Sequence, residues 1–169
     1  HFRGLESFWA VPAGQKNAKI GRWVKGPGMA FVNALKTGLP KLNFIAEDLG
    51  FLTPEVRELQ RASGFPGMKV LQFAFDGDPD NVHLPYNHGH NCVAYTGTHD
   101  NMTTRQYFET GSKEMKEYAA SYMALTEQEG IVWGIIRTAI SSVSDLAIIP
   151  IQDYLNVGAE GRMNFPGTT

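Results

Sequence analysis

Val93-Ala-Tyr-Thr96-Gly-Thr-His-Asp100 passes from a short apolar run into a polar tip within eight residues. A continuous run, without apolar-polar alternation, is the pattern of a strand buried on both faces. Gly97 breaks it, and an ionisable pair, His99-Asp100, follows at once. In parallel α/β folds the working groups lie at the C-terminal ends of strands, so this stretch reads as a buried strand delivering chemistry at its tip. The same order recurs outward along the chain. Asn43-Phe-Ile-Ala-Glu47 is a strand candidate ending on Glu47-Asp48. Val70-Leu-Gln-Phe-Ala-Phe75 leads into Asp76, and Leu146-Ala-Ile-Ile149, closed by Pro150, leads to Gln152-Asp153.

Helical patterns lie between these runs. Thr53-Pro54-Glu55 combines a capping residue, a proline suited to the first helical position and an acid suited to the helix N-terminus. Val56, Leu59 and Ala62 follow at helical spacing, and Gly64 is a stop. Thr103 to Thr110 suits a short helix, and Lys113 to Leu125 a longer one with Met115, Tyr118, Ala119, Tyr122 and Met123 on one face. Thr126-Glu-Gln-Glu129 reads as a capping box opening a helix that runs through Ile140. Residues 1–42 show no sustained period and read as a long ordered loop with one short helix near Met29–Thr37; loops of this length are usually functional. Alternating strands and helices predict an α/β fold whose parallel sheet is covered by helices on both faces. With no repeat and no low-complexity linker, one domain or part of one is expected.

The chain has 169 residues, 43% of them hydrophobic. That supports one core but falls short of the roughly 250 residues of a complete eight-stranded α/β barrel. Net charge is −2, which gives no field to select a polyanion. Seven basic groups within residues 1–41 (Arg3, Lys16, Lys19, Arg22, Lys25, Lys36, Lys41) face only Glu6, but they form no helical stripe and accompany no nucleic-acid motif. Cys92 is the only cysteine, so no internal disulfide forms, which fits a reducing compartment. No apolar run approaches the roughly 20 residues of a bilayer span, and no signal segment opens the chain. It starts on His1 and closes on Pro166-Gly-Thr-Thr169, so truncation at both ends is expected.

Recurrent strand-end carboxylates without a metal motif point to glycoside chemistry, which needs one carboxylic acid to protonate the leaving oxygen and a second carboxylate across the sugar. Burial at a strand end would favour the protonated form of Glu47 and suit it to the acid's part. Asp100, beside His99, can accept sugar hydroxyls and stabilise positive charge at the reacting carbon. The competing reading of any one such Asp is a turn or helix cap.

Ile45-Ala-Glu47-Asp-Leu-Gly50, Lys69-Val-Leu-Gln-Phe-Ala-Phe75 and Tyr95-Thr-Gly-Thr-His-Asp-Asn101 closely resemble the amylomaltase family of 4-alpha-glucanotransferases. His1-Phe-Arg-Gly4, Gly21-Arg-Trp-Val-Lys-Gly-Pro-Gly28 and Gly161-Arg-Met-Asn-Phe-Pro-Gly167 extend the resemblance over nearly the whole chain. It implies a partial (β/α)8 TIM barrel, from after the fourth strand through the eighth, with residues 1–169 a single fragment of the catalytic barrel. By this resemblance Glu47 is the general acid/base at the end of the fifth strand and Asp100 the transition-state stabiliser at the end of the seventh. His99 and Asn164 are sugar contacts, and Phe73 is an acceptor-side residue that limits attack by water. The family's nucleophile is an aspartate directly before the His-Phe-Arg-Gly motif, outside this chain. Met102 is a second departure, standing where many relatives carry an acid.

The implied reaction is retaining transfer of α-1,4-glucan segments between maltodextrins or starch-like chains, with glucose or a malto-oligosaccharide as acceptor. Trp9, Trp23 and Phe73 are apolar platforms for the sugar, or else core residues. Two other readings stay open: a retaining α-glucan hydrolase, and an inactive glucan-binding or structural fragment. The resemblance implies no cofactor, no metal, no nucleic-acid or membrane partner, and a cytoplasmic enzyme (plastidial in a plant). Asp76-Gly-Asp78-Pro-Asp80-Asn81 has acids at EF-hand spacing but lacks the loop's Gly at position six and Glu at position twelve. His83, His88 and His90 lack the spacing of a zinc set.

Overall fold

The computed structural model describes residues 1–168. Contacts divide it into two compact units, His1–Met68 and Lys69–Thr169. In the first, a single turn α1 (Arg3–Glu6) leads into the antiparallel pair β1 (Ser7–Ala10) and β2 (Arg22–Lys25), followed by α2 (Gly28–Gly38) and α3 (Pro54–Ser63). Phe2, Ala46 and Val56 are buried together, with Leu5, Leu52, Leu59 and Phe65 packed around them. Local signals account for α3. The Thr53 hydroxyl accepts from the Val56 N–H, Pro54 opens the helix, and Gly64 ends it at φ 67°.

The second unit holds the sheet. Its order is β3-β4-β5, with β3 (Gly67–Val70) entering from the end of the first unit, then β4 (Cys92–Tyr95) and β5 (Leu146–Ile148). β4 and β5 are parallel, Val93 opposite Leu146 and Tyr95 opposite Ile148. Between them come α4 (Thr104–Thr110), α5 (Lys113–Tyr122) and α6 (Gly130–Ile140), and α7 (Ile151–Tyr154) follows β5. α6 buries Val132, Ile135, Ile136 and Ala139, the spacing of one helical face, and packs on β4 and β5. The core gathers Leu71, Ala74, Phe75, Leu84, Ala94, Phe108, Ala119, Met123, Ile135 and Ala139. Met115, Tyr118 and Tyr122 pack against it, so the predicted inner face of α5 is the observed one. Among the described residues no helix is long and apolar enough to cross a membrane.

Five expectations are corrected. Residues 43–47 form no strand. The segment has single backbone bonds on either side, Ala46 N–H to Pro66 O at 2.8 Å and Phe2 N–H to Glu47 O at 2.8 Å, where a strand needs a repeating ladder. The run beginning at Val70 contributes only its first residue to β3, because the chain tightens at Leu71–Phe73 into a 3-10 turn. Residues 1–42 are more than a loop with a helix. β1 and β2 are four-residue strands too far apart in sequence to read as a hairpin, and Trp9 and Trp23 stand opposite each other across the pair with their rings edge-on. Gly21 is required there, since a Cβ would lie 2.5 Å from the Trp9 indole nitrogen. The capping box at Thr126 is half made: the Thr126 hydroxyl accepts from the Glu129 N–H at 3.3 Å, while the Glu129 carboxylate is drawn to Arg137 at 2.6 Å. Gly130, at φ 72°, then starts α6. The sheet is also not covered throughout: β5 is an edge strand, and Leu146 and Ile148 stay exposed.

Phe75 is the largest fully buried side chain, set among the rings of Phe108, Tyr118 and Tyr122 at centroid distances of 6.2, 6.4 and 6.0 Å. Phe75→Ala removes that hub and is expected to cost about 3–5 kcal/mol in chemical denaturation; a loss under about 1 kcal/mol would show that the ring cluster does not carry the second unit.

Candidate active site

The strand-end carboxylates fall into two kinds. Asp48, Asp76 and Asp153 are structural. Asp48 Oδ1 accepts the Met68 N–H at 2.7 Å and anchors the start of β3. Asp76 Oδ1 accepts the Asp78 N–H at 3.0 Å, and its Oδ2 accepts from Asn81 at 2.9 Å. These bonds hold the Asp76 carboxyl below its ordinary pKa, the backbone N–H contributing most. Asn81 also donates to the Phe73 carbonyl at 2.7 Å, so the acid-rich turn resembling a calcium loop fastens the turn that carries Phe73. Asp153 is 2% exposed and accepts from Thr96, Thr104 and the Thr104 N–H.

Glu47 and Asp100 differ from these. The Glu47 side chain is 42% exposed, so the burial expected of an acid is not found in this chain. Its Oε2 lies 3.5 Å from the His1 nitrogen, and Oε1 accepts weakly from the Leu49 N–H at 3.3 Å. Asp100 is 58% exposed at the tip after β4. His99 Nε2 stands 3.3 Å from Asp100 Oδ1, and Asn164 Nδ2 donates to the same oxygen at 2.6 Å. The second unit thus brings His99, Asp100 and Asn164 together from segments more than sixty positions apart in sequence. A cavity of about 280 Å³ opens beside them, lined among others by His99, Asn101, Gln152, Arg162 and Met163.

Phe73 is 43% exposed and lines a separate cleft of about 580 Å³ with Phe75, Asp76, Tyr107, Met115 and Tyr118. Trp9 belongs to the first unit. Its indole N–H donates to the Ala18 carbonyl at 2.9 Å, and its ring meets Trp23 edge-on at 5.4 Å. The Arg3 guanidinium lies over Trp23 at 4.7 Å. Trp9 and Trp23 remain 39% and 54% exposed and so lie at the surface and not in the core.

Sequence reasoning missed the braces around Asp100. Arg162 donates to the Asp100 carbonyl at 3.0 Å and to the Asn164 carbonyl at 3.0 Å, and stacks on Phe165 at 4.9 Å. Asn101 Oδ1 accepts from the Thr98 N–H at 2.9 Å and the Thr98 hydroxyl at 2.7 Å, closing the loop on itself. Both residues stand in quoted motifs; Arg162 reaches back sixty-two positions and leaves no local spacing signal, whereas Asn101 closes a turn within its own motif.

The family model for 4-alpha-glucanotransferase matches residues 1–169. The chain belongs to the 4-alpha-glucanotransferase family. It is 54% identical over 169 residues to the 4-alpha-glucanotransferase of Clostridium butyricum, covering 99% of this chain and 35% of that protein. It is 49% identical over 168 residues to the chloroplastic/amyloplastic 4-alpha-glucanotransferase of Arabidopsis thaliana, covering 99% of this chain and 29% of the relative. Its structure is similar to that of the amylomaltase from Streptococcus agalactiae in complex with acarbose, with a TM-score of 0.92 at 36% identity, over 99% of this chain and 34% of that one. The chain therefore spans about a third of the length of the family members it matches.

His83 and His88 are engaged in hydrogen bonds within the second unit. His83 Nδ1 accepts the Val70 N–H at 3.1 Å and its ring meets Phe73 edge-on at 5.4 Å. His88 places its ring nitrogens 3.0 Å from the Ser144 hydroxyl and 3.0 Å from the His83 carbonyl. Burial, then the nearby Lys69 charge, lowers the His83 pKa from 6.5 to about 4. The folded state holds the neutral ring, so between these values the unfolded chain binds more protons. Stability is full above pH 6.5 and declines as pH falls towards 4. Thermal melts across this window are expected to show that decline, and His83→Gln to flatten it; equal slopes in the two proteins would contradict the assignment.

Proposed function

We propose that this chain is the later part of a (β/α)8 glucanotransferase barrel and carries two of the groups that move α-1,4-glucan segments between maltodextrins. The supporting observation is the placement of two carboxylates: Asp153 is buried and fully engaged by three protein donors, whereas the Glu47 and Asp100 side chains are 42% and 58% exposed, with Asp100 set beside His99 and Asn164. In this reading residues 43–47 take the place of the fifth strand, and β3, β4 and β5 are the sixth to eighth. The adjacent order β3-β4-β5 with parallel β4 and β5 fits consecutive strands of a barrel. The partner glucan matches the family's name, and acarbose is present in the amylomaltase of similar structure.

The mechanism follows the residues. The family's nucleophilic aspartate is joined to the His-Phe-Arg-Gly motif at the nitrogen that here lies 3.5 Å from Glu47 Oε2. The aspartate attacks the anomeric carbon while Glu47 protonates the departing 4-oxygen. Glu47 then takes the proton of an incoming 4-hydroxyl, and a second inversion restores the α configuration. Asp100 stabilises positive charge at the ring carbon, and His99 and Asn164 hold sugar hydroxyls beside it. Phe73 and Trp9 offer apolar faces on which a sugar excludes water, favouring transfer over hydrolysis. The reaction asks for no cofactor or metal. The reading takes the protein as cytoplasmic, or plastidial in a plant; the second agrees with the chloroplastic/amyloplastic name of the Arabidopsis relative.

The full-length protein incubated with maltotriose is expected to produce longer oligosaccharides along with glucose. Glucose release without longer products would replace transferase by hydrolase. Glu47→Gln is expected to lower kcat by about 10²–10⁴-fold, the range of general acid-base assistance; a near-normal rate would remove Glu47 from that role.

A further inference from the structure

We infer that Asp153 is a positioning residue for the reacting loop: by clamping both ends of residues 97–103 to one carboxylate it sets where Asp100 and Asn164 meet. The inference rests on the reading of Asp100 as the transition-state stabiliser. The chain leaves β4 through Thr96 and returns to helix at Thr104, and both residues are fully buried. Thr96 and Thr104 donate their hydroxyls to the same oxygen, Asp153 Oδ2, at 2.5 and 2.8 Å, and the Thr104 N–H donates to Oδ1 at 2.9 Å. One side chain therefore closes a seven-residue loop at its base. A buried carboxylate is costly to place unless its oxygens are met, so this one is held where its three donors stand.

The neighbouring strand ends add to the clamp. Gln72, buried just after β3, donates to the Met102 carbonyl at 3.0 Å. It packs so close to Gly97 that a Cβ there would fall 2.5 Å from its amide nitrogen. Thr103 caps α4 and donates its hydroxyl to the Gly158 carbonyl at 3.1 Å. Asp153 lies on α7, and the chain beyond α7 supplies Arg162 and Asn164, which grip the Asp100 carbonyl and carboxylate. The residue that fixes the loop thus lies on the segment that delivers the loop's partners. Nothing in the reaction calls on Asp153 itself, since it is 2% exposed and its oxygens are met by Thr96 and Thr104.

The test is steady-state transfer from maltotriose by the full-length protein, well below the melting temperature of each variant. Wild-type transfer and its loss in Glu47→Gln test the underlying reading first. Asp153→Asn keeps the volume but cannot accept all three bonds. It is expected to lower kcat about tenfold or more with KM changed less than about twofold, because a misplacement of an ångström is enough to cost that much. Thr104→Val is expected to lower kcat in the same way, and Thr104→Ser, which keeps the hydroxyl, to rescue it. If Asp153→Asn does not fold, the Thr104 pair decides. A folded Asp153→Asn with kcat within twofold of wild type, or equal rates in Thr104→Val and Thr104→Ser, would overturn the inference.

Discussion

One buried carboxylate, Asp153, accepts three hydrogen bonds from the two ends of the loop after β4. The geometry of the second unit's polar tip depends on that constraint. Strand β4 is short and its backbone ladder ends at Tyr95, so the sheet cannot dictate where His99 and Asp100 point. Thr96 and Thr104, drawn to a common acceptor, supply what the ladder does not. Each donor to a charged acceptor is worth more than a neutral pair, and leaving such an acceptor unmet inside the protein would be expensive. The loop is therefore tethered at both ends to one side chain.

A division of labour among acids follows. Asp48, Asp76 and Asp153 are builders, each spending its oxygens on donors of nearby turns or strand starts. Glu47 and Asp100, 42% and 58% exposed, are left with oxygens that a ligand can reach. The engaged acids fasten the turns that carry other candidate residues. The Asp76 turn does this for Phe73 through Asn81, and the Asp153 clamp does it for Asp100.

Much of this was legible in the sequence where the cause was local. Thr53 and Pro54 start α3 and Gly64 ends it, and the inner face of α5 was written in its own spacing. β4, β5 and the tip His99-Asp100 were visible because apolar runs stop at Gly97 and Pro150. What stayed hidden depends on distant partners. The pairing of β1 with β2 is set by Trp9 meeting Trp23 across an eleven-residue loop, and the absence of a strand at 43–47 by the lack of a ladder on either side. Glu129 fits a capping box by pattern, yet Arg137, eight positions on, takes its carboxylate. Arg162 carries no local signal of a role, and Asp153 reads only as one more strand-end acid, since their bonds to Asp100 and Thr96 cross sixty-two and fifty-seven positions. The amylomaltase resemblance reached Asn164, which does meet Asp100 at 2.6 Å, although nothing in local spacing joins the two.

The proposed chemistry makes one demand that no arrangement of side chains can evade: two displacements at the same carbon preserve its configuration. The most direct measurement is the anomeric configuration of the linkage newly formed by the full-length protein from maltotriose, read by proton NMR before the products equilibrate. The account predicts α linkages only. A β linkage in the first-formed product would contradict the retaining pair of Glu47 and the family's aspartate, and with it the role assigned to Asp100.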